Sequence, residues 1–188
     1  SIAAAVQVVA AVDLELLRLE PLAGIPLKAT PHQVTYFAEK NLYPLIVSVP
    51  VRIMELDKSG GPWQTKATIP MQTSENALTV RMVTLLNTSS KENETLLAVG
   101  TAYVQGEVAA RGRILLFSLG KNTDNPQTLV SEVYSRELKG AISALASLQG
   151  HLLIASGPKI ILHKWTGTEL NGIAFFDTPP LHVVSLNI

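Results

Sequence analysis

Apolar residues along this chain fall into short runs, most of five to nine residues, bounded by Gly, Pro, Asn or Asp. Runs of that length, rich in Val, Ile, Leu, Thr and Tyr, predict β-strands; helical periodicity is largely absent. Some strands alternate. Thr79, Arg81 and Thr84 interrupt Leu78, Val80, Met82, Val83 and Leu85, the pattern of a half-buried strand. Others, residues 151–156 and 160–162, are apolar almost throughout, as expected where neighbouring sheets cover both faces. The strands group in fours. The first quartet is predicted at 31–37, 42–49, 51–56 and 63–71, the second at 78–86, 96–103, 113–119 and 129–138, and the third at 141–148, 151–156, 159–165 and 169–177. Residues 181–188 then open a fourth unit.

Four strands recurring every 40 to 50 residues or so is the signature of propeller blades. Thr35, Thr79, Ser143 and Val184 are equivalent points, separated by 44, 64 and 41 residues. The long middle step is assigned to loops at 87–94 and 105–111, which cost little because closure entropy rises slowly with length. Residues 96–100 followed by 113–116 match 152–157 followed by 159–162: in both, an apolar run ends at a glycine, Gly100 or Gly157, and a basic residue opens the next strand. Both glycines are therefore expected in turns of positive φ. The fold predicted is all-β, a partial β-propeller of about three four-stranded antiparallel blades plus the first strand of a fourth. Each blade has two apolar faces and needs the next as cover. Closing a ring takes about four to eight blades, so the remaining blades are expected from the full-length chain, with a partner or a second copy covering the exposed flanks as the alternative.

Residues 1–24 stand outside the repeat as an unassigned N-terminal extension, and 25–188 form the propeller portion. The Ala-rich opening stretch meets Asp13 well short of the ~20 apolar residues of a membrane-spanning helix and has no basic flank.

Composition narrows function. Fifteen Lys plus Arg balance fifteen Asp plus Glu, so no whole-chain field draws nucleic acid or an anionic membrane. The absence of Cys excludes disulfides, thiolate zinc sites and cysteine nucleophiles, and fits a reducing compartment. Two sequons, at Asn87 and Asn93, matter only in a secreted protein, and no feature points to secretion.

The candidate chemistry reads as structural. Residues 106–113 carry two glycines and two arginines but neither dinucleotide-binding nor Walker spacing. Arg111 and Arg113 are able to grip phosphate or a partner carboxylate bidentately; a solvated or intra-blade ion pair is the preferred reading. His32, His151, His163 and His182 show no metal-ligand spacing, and His163 is expected to face a neighbouring blade or solvent. Ser156-Gly157 lacks the frame of a nucleophile elbow and reads as a turn. Glu132 with Glu137, and Glu92 with Glu94, read as surface charge rather than an acid–base pair. Trp63 and Trp165 are expected to pack between blades, with base stacking as the alternative. No catalytic, cofactor or metal residue is therefore assigned, no cofactor is expected, and the residues that contact a partner or RNA are unknown.

From residue 25 onward the sequence resembles the family of the largest subunit of the cleavage and polyadenylation specificity factor, in its plant form. The resemblance is carried by residues 28–36 (KATPHQVTY), 99–107 (VGTAYVQGE), 111–115 (RGRIL), 138–145 (LKGAISAL) and 150–165, which ends in GPKIILHKW. The Gly-Thr, Gly-Arg-Ile, Lys-Gly-Ala and Trp-Thr elements are shared with the large subunit of the damaged-DNA-binding complex and the propeller subunit of splicing factor 3b. The resemblance implies a C-terminal propeller of a non-catalytic nuclear scaffold. It would organise the polyadenylation subunits that recognise the signal in pre-mRNA, with RNA contact mostly indirect. An adaptor of a ubiquitin ligase in DNA repair is the alternative, and a channel enzyme a third reading without the clustered residues it needs. In this family a long polar insertion lies between Val49 and Arg52, where here Pro50-Val51 joins two strands directly.

Overall fold

The computed structural model describes residues 31–47, 51–55, 64–104, 111–121 and 124–177. The expected extension at 1–24 and the strand at 181–188 lie outside them, as do Trp63 and His182. The first blade contains β1 (Pro31–Val34), β2 (Leu42–Val47), β3 (Val51–Glu55) and β4 (Gln64–Ile69), paired in that order. The second contains β5 (Glu75–Asn87), β6 (Glu92–Tyr103), β7 (Arg111–Leu119) and β8 (Val130–Lys139). The third contains β9 (Ile142–Leu148), β10 (His151–Ser156), β11 (Lys159–Trp165) and β12 (Leu170–Asp177). Within each blade sequential strands pair antiparallel, and a single parallel bridge, Asn87 to Trp165, joins the second blade to the third. The described chain is thus a partial propeller of three four-stranded blades.

Two local expectations fail for identifiable reasons. Residues 87 and 92–94 are strand, because the β5–β6 hairpin continues to Asn87 opposite Glu92 and closes in a turn of four residues. The Asn87 side chain accepts from the amides of Ser89 and Ser90 and fixes that turn, which a polar composition hid. Leu129, expected to open a strand, instead ends a one-turn helix, α1 (Pro126–Leu129), with Pro in the first turn and the Asn125 side chain accepting from the amide of Gln127.

Burial follows the stacking. One core lies between the first and second blades, where Leu42, Ile46, Val51 and Ile53 meet Val80, Leu97, Val99, Leu115 and Phe117. A second lies between the second and third, where Leu85, Ala98, Ile114 and Leu116 meet Ile142, Leu145, Leu152, Ile154 and Trp165. Alternation along β6 explains the division: Leu97 and Val99 point one way, Leu96 and Ala98 the other.

The two matched glycines differ. Gly157 has φ +58° in the β10–β11 turn, as expected. Gly100 lies within β6, paired to Thr79 and Ile114, without a positive φ, so the turn expected there is wrong. Its requirement is space. A Cβ at Gly100 would sit 2.4 Å from the Ile142 side chain of the next blade and 2.7 Å from that of Thr79. The sequence match between Gly100 and Gly157 therefore joins a close-approach glycine to a turn glycine.

Gly100→Ala should destabilise the chain by about 1–3 kcal/mol through overpacking. In a double-mutant cycle with Ile142→Ala the two losses should fall short of additivity, measured by urea unfolding. Additive losses would show that Ile142 is not what fills the space.

Candidate functional site

The strongest polar constellation lies at one end of the second blade, where β5 begins, β6 ends and β7 begins. Register builds it: Glu75 pairs with Tyr103 and Ala77 with Thr101 across β5–β6, and a bulge follows between Ala77 and Thr79. The Glu75 side chain is fully buried and takes two hydrogen bonds of 2.7 Å from Arg113, one to each carboxylate oxygen. Thr101 Oγ1 donates to Oε2 at 2.7 Å and the Gln72 amide to Oε1 at 3.0 Å. Thr101 Oγ1 in turn accepts from the Arg113 amide at 2.9 Å.

Burial alone raises a carboxyl pKa, but donation from Arg113, the Gln72 amide and Thr101 outweighs it and holds Glu75 below its ordinary value. The same ion pair outweighs burial at Arg113 and raises the guanidinium. Around this core, Tyr103 donates to Gln72 Oε1 at 2.5 Å, and burial raises the phenol's pKa. Arg111 lies 4.5 Å from the Tyr103 ring centroid and pairs with Glu137 at 3.0 Å. Every charge here has a partner inside the blade. A carboxylate held ionised by a bidentate cation cannot lend a proton, and one saturated by four donors is a poor base. The arrangement is a clamp on strand register, and it realises the intra-blade ion pairs expected for Arg111 and Arg113.

A second constellation joins blades at their opposite end. Trp165, 1% exposed, donates from Nε1 to Glu94 at 2.9 Å and meets the Tyr134 ring edge-on at 5.9 Å. Asn87 donates to the other oxygen of Glu94 at 2.7 Å. The amide of Thr88 donates to Trp165 O, and that of Leu86 to Gly150 O. Packing of Trp165 between blades matches expectation, and burial removes the base-stacking alternative at this residue. Glu94 is consumed by the same contacts, so its pairing with Glu92 as surface charge does not describe it. Between the first and second blades, Lys40 donates to the carbonyls of Leu119 and Gly120, the Gln33 side chain accepts from the Val80 amide, and Thr35 Oγ1 accepts from that of Met82.

The remaining candidates disperse. His163 is buried on β11, with Nδ1 3.1 Å from Ile161 O; burial lowers its pKa and the charge of Arg136 adds to the effect. His151 opens β10, and its Nδ1 is buried without a partner among the described residues. Glu137 pairs with Arg111, whereas Glu132 lies on the exposed face of β8. Ser156 donates from Oγ to Lys139 O and lies in a strand rather than at a nucleophile. Among the described residues no group of three or more His, Asp or Glu is placed to hold a metal ion, and no helix is long and apolar enough to cross a membrane. Sequence reasoning missed Glu75 altogether; its only signal was an acid on a strand whose partners carry Thr101 and Arg113, and that requires the register.

Comparison places these features in a family. A model described as the CPSF A subunit region matches residues 51–188. Cleavage and polyadenylation specificity factor subunit 1 of Arabidopsis thaliana is 64% identical over 210 aligned positions, covering 89% of this chain and 15% of that protein. The probable subunit 1 of Oryza sativa subsp. japonica is 59% identical, covering 89% and 14%. DNA damage-binding protein 1 of Solanum lycopersicum is 36% identical over 85 residues, covering 44% and 7%. The chain thus spans about 15% of the length of the first of these relatives.

Two outcomes follow from the site. Arg113→Ala leaves the Glu75 carboxylate buried and unpaired and should cost about 3–5 kcal/mol at pH 7. Because the folded pKa of Glu75 is depressed, its contribution is complete above ~4.3 and is lost as pH falls through the folded value. The gap between wild type and Glu75→Gln in urea unfolding should therefore shrink under acid; a gap independent of pH contradicts an ionised Glu75. The lowered pKa of His163 has the opposite origin. Stability should fall as pH drops below ~6.5, where the unfolded imidazole takes a proton that the folded one refuses. An NMR midpoint for His163 at or above that value contradicts its burial as a neutral ring.

Proposed function

Because the chain belongs to the CPSF A subunit family, we propose that it is a C-terminal propeller portion of a scaffold for pre-mRNA cleavage and polyadenylation. In this reading residues 25–188 are the propeller domain, residues 1–24 precede it as an extension, and further blades come from the full-length protein. The observation that carries the reading is the identity to the plant subunit 1 proteins over nearly nine-tenths of the chain. A platform rather than an enzyme is supported by the buried ion pair of Glu75 and Arg113 and by the absence, among the described residues, of a poised acid or base. The scaffold works in the nucleus, bound to other subunits of the complex, and touches pre-mRNA indirectly. Net neutrality supports that last point, because affinity for phosphate scales with uncompensated cations.

A ligase-adaptor role of the damaged-DNA-binding type has weaker support, since that similarity covers under half of the chain. The alignment to the Arabidopsis protein also contains about forty positions that this chain lacks. We place them in the β2–β3 connection, whose strands pair from Leu42–Glu55 to Ile46–Val51 without them.

Affinity purification of the tagged chain from plant nuclear extract should recover polyadenylation subunits. Recovery of cullin-ligase components in their place overturns the assignment. RNA carrying a polyadenylation signal should not bind the purified chain; saturable binding weakened by Arg111→Ala, which leaves the Glu75–Arg113 pair intact, would overturn the indirect role given to RNA contact.

A further inference from the structure

Residues 89–93, Ser-Ser-Lys-Glu-Asn, make no hydrogen bond to a neighbouring blade, and all five are exposed. They round the tip of the β5–β6 hairpin. β6 pairs with β7 only from Leu97, opposite Phe117, onward, so residues 92–95 pair with β5 alone and the hairpin ends as a two-stranded ribbon. Its edge toward β7 is open at this end.

A serine or threonine followed three positions later by an acid occurs twice among the described residues, at Ser89 with Glu92 and at Thr166 with Glu169. The structure separates the two. Thr166 is part-buried and its hydroxyl is folded into the β11–β12 turn, where it accepts from the Glu169 amide at 3.0 Å and the Thr168 amide at 3.5 Å. At Ser89 only the backbone amide is engaged, 2.9 Å from Asn87 Oδ1, and the hydroxyl bonds to no other described residue. The Glu92 carboxylate likewise makes no hydrogen bond or ion pair with another described residue. The neighbouring Ser90 differs on both counts: its hydroxyl accepts from the Glu92 amide at 3.3 Å, and the residue three positions on is Asn93.

We propose that Ser89 is a phosphorylation site for an acid-directed serine/threonine protein kinase, with Glu92 as the residue that the kinase reads. Ser89 Oγ forms a bond to the γ-phosphorus of a nucleoside triphosphate and the bond from that phosphorus to its bridging oxygen breaks. The nucleoside diphosphate leaves, and the hydroxyl proton passes to the kinase's base. Basic side chains of such a kinase grip an exposed carboxylate through charge-assisted hydrogen bonds. The phosphate adds about −1.5 to −2 charges to the tip. It stands one residue, Asn87, away from the Glu94 carboxylate that holds Trp165. The modification is independent of the complex in which the chain works.

The test is to incubate the purified whole chain with casein kinase II, magnesium and ATP, and to map the product by peptide mass spectrometry. Phosphate should be found on Ser89; Ser89→Ala should abolish it there and Thr166→Ala should leave it. Glu92→Gln should slow incorporation about tenfold, the worth of one charge-assisted hydrogen bond. Glu92→Asp should restore the rate, a rescue that a fold defect would not give. Absence of phosphate from Ser89, incorporation unaffected by Glu92→Gln, or phosphorylation of a peptide of residues 84–98 but not of the whole chain would each overturn the proposal, the last by showing that the hairpin hides its own tip.

Discussion

The structure depends on the middle blade having two apolar faces. Residues of β6 alternate between Leu97 and Val99, which close the core with the first blade, and Leu96 and Ala98, which close the core with the third. Neither face tolerates water, because burial of such side chains supplies about 25 cal/mol per Å² and exposing them forfeits it. The second blade is therefore meaningful only as part of a stack. The same logic makes Gly100 obligatory, since the backbone of β6 lies so near the third blade that a Cβ would overlap Ile142.

Hydrophobic stacking alone allows sheets to slide, and the polar contacts remove that freedom. Glu94, Asn87 and Trp165 tie the end of the β5–β6 hairpin to the last turn of β11, and the Leu86 amide bonds to Gly150 of the same neighbouring blade. Across the other boundary, Gln33 and Thr35 satisfy the Val80 and Met82 amides of β5, an inner strand whose outward edge would otherwise go unpaired. Glu75 and Arg113 act within a blade, fixing the register of three strands at the end where residues 105–110 connect β6 to β7. A one-residue slip there would strip a buried carboxylate of its donors, a larger penalty than any loss of area in so short a segment.

How much of this the sequence disclosed depends on whether local pattern or distant pairing set each feature. The strands at 151–156 and 159–165 coincide with β10 and β11, because an apolar run, a Gly-Pro turn and a second apolar run leave no competing structure. The three quartets were legible on the same ground, and so was Trp165, large and apolar in a strand. The extension of β5 and β6 to Asn87 and Glu92 was not: their polar ends are strand only because Asn87 closes the turn and Glu94 is consumed by Trp165, seventy-one positions away. Gly100 resembled Gly157 in its flanks, yet its reason lies in another blade. Glu75 carried no local sign at all. α1 was hidden by its length, a single turn cut off by the β-branched Val130 and by the return to strand.

The division also says where recognition can occur. In a fold whose buried carboxylate and its arginine are spent on each other, specificity for a partner must come from groups the stacking cannot use. Among the described residues these are the outer edges, where β4, β8 and β12 each lack a neighbour on one side, and the few side chains at their rims without an internal counterpart. β8 blunts its edge with Glu132, Arg136, Glu137 and Lys139, the usual defence against indiscriminate strand pairing. β4 is shorter, and α1 packs against it from the second blade, with Pro126 and Gln127 facing Ala67 and Ile69 across a shallow recess.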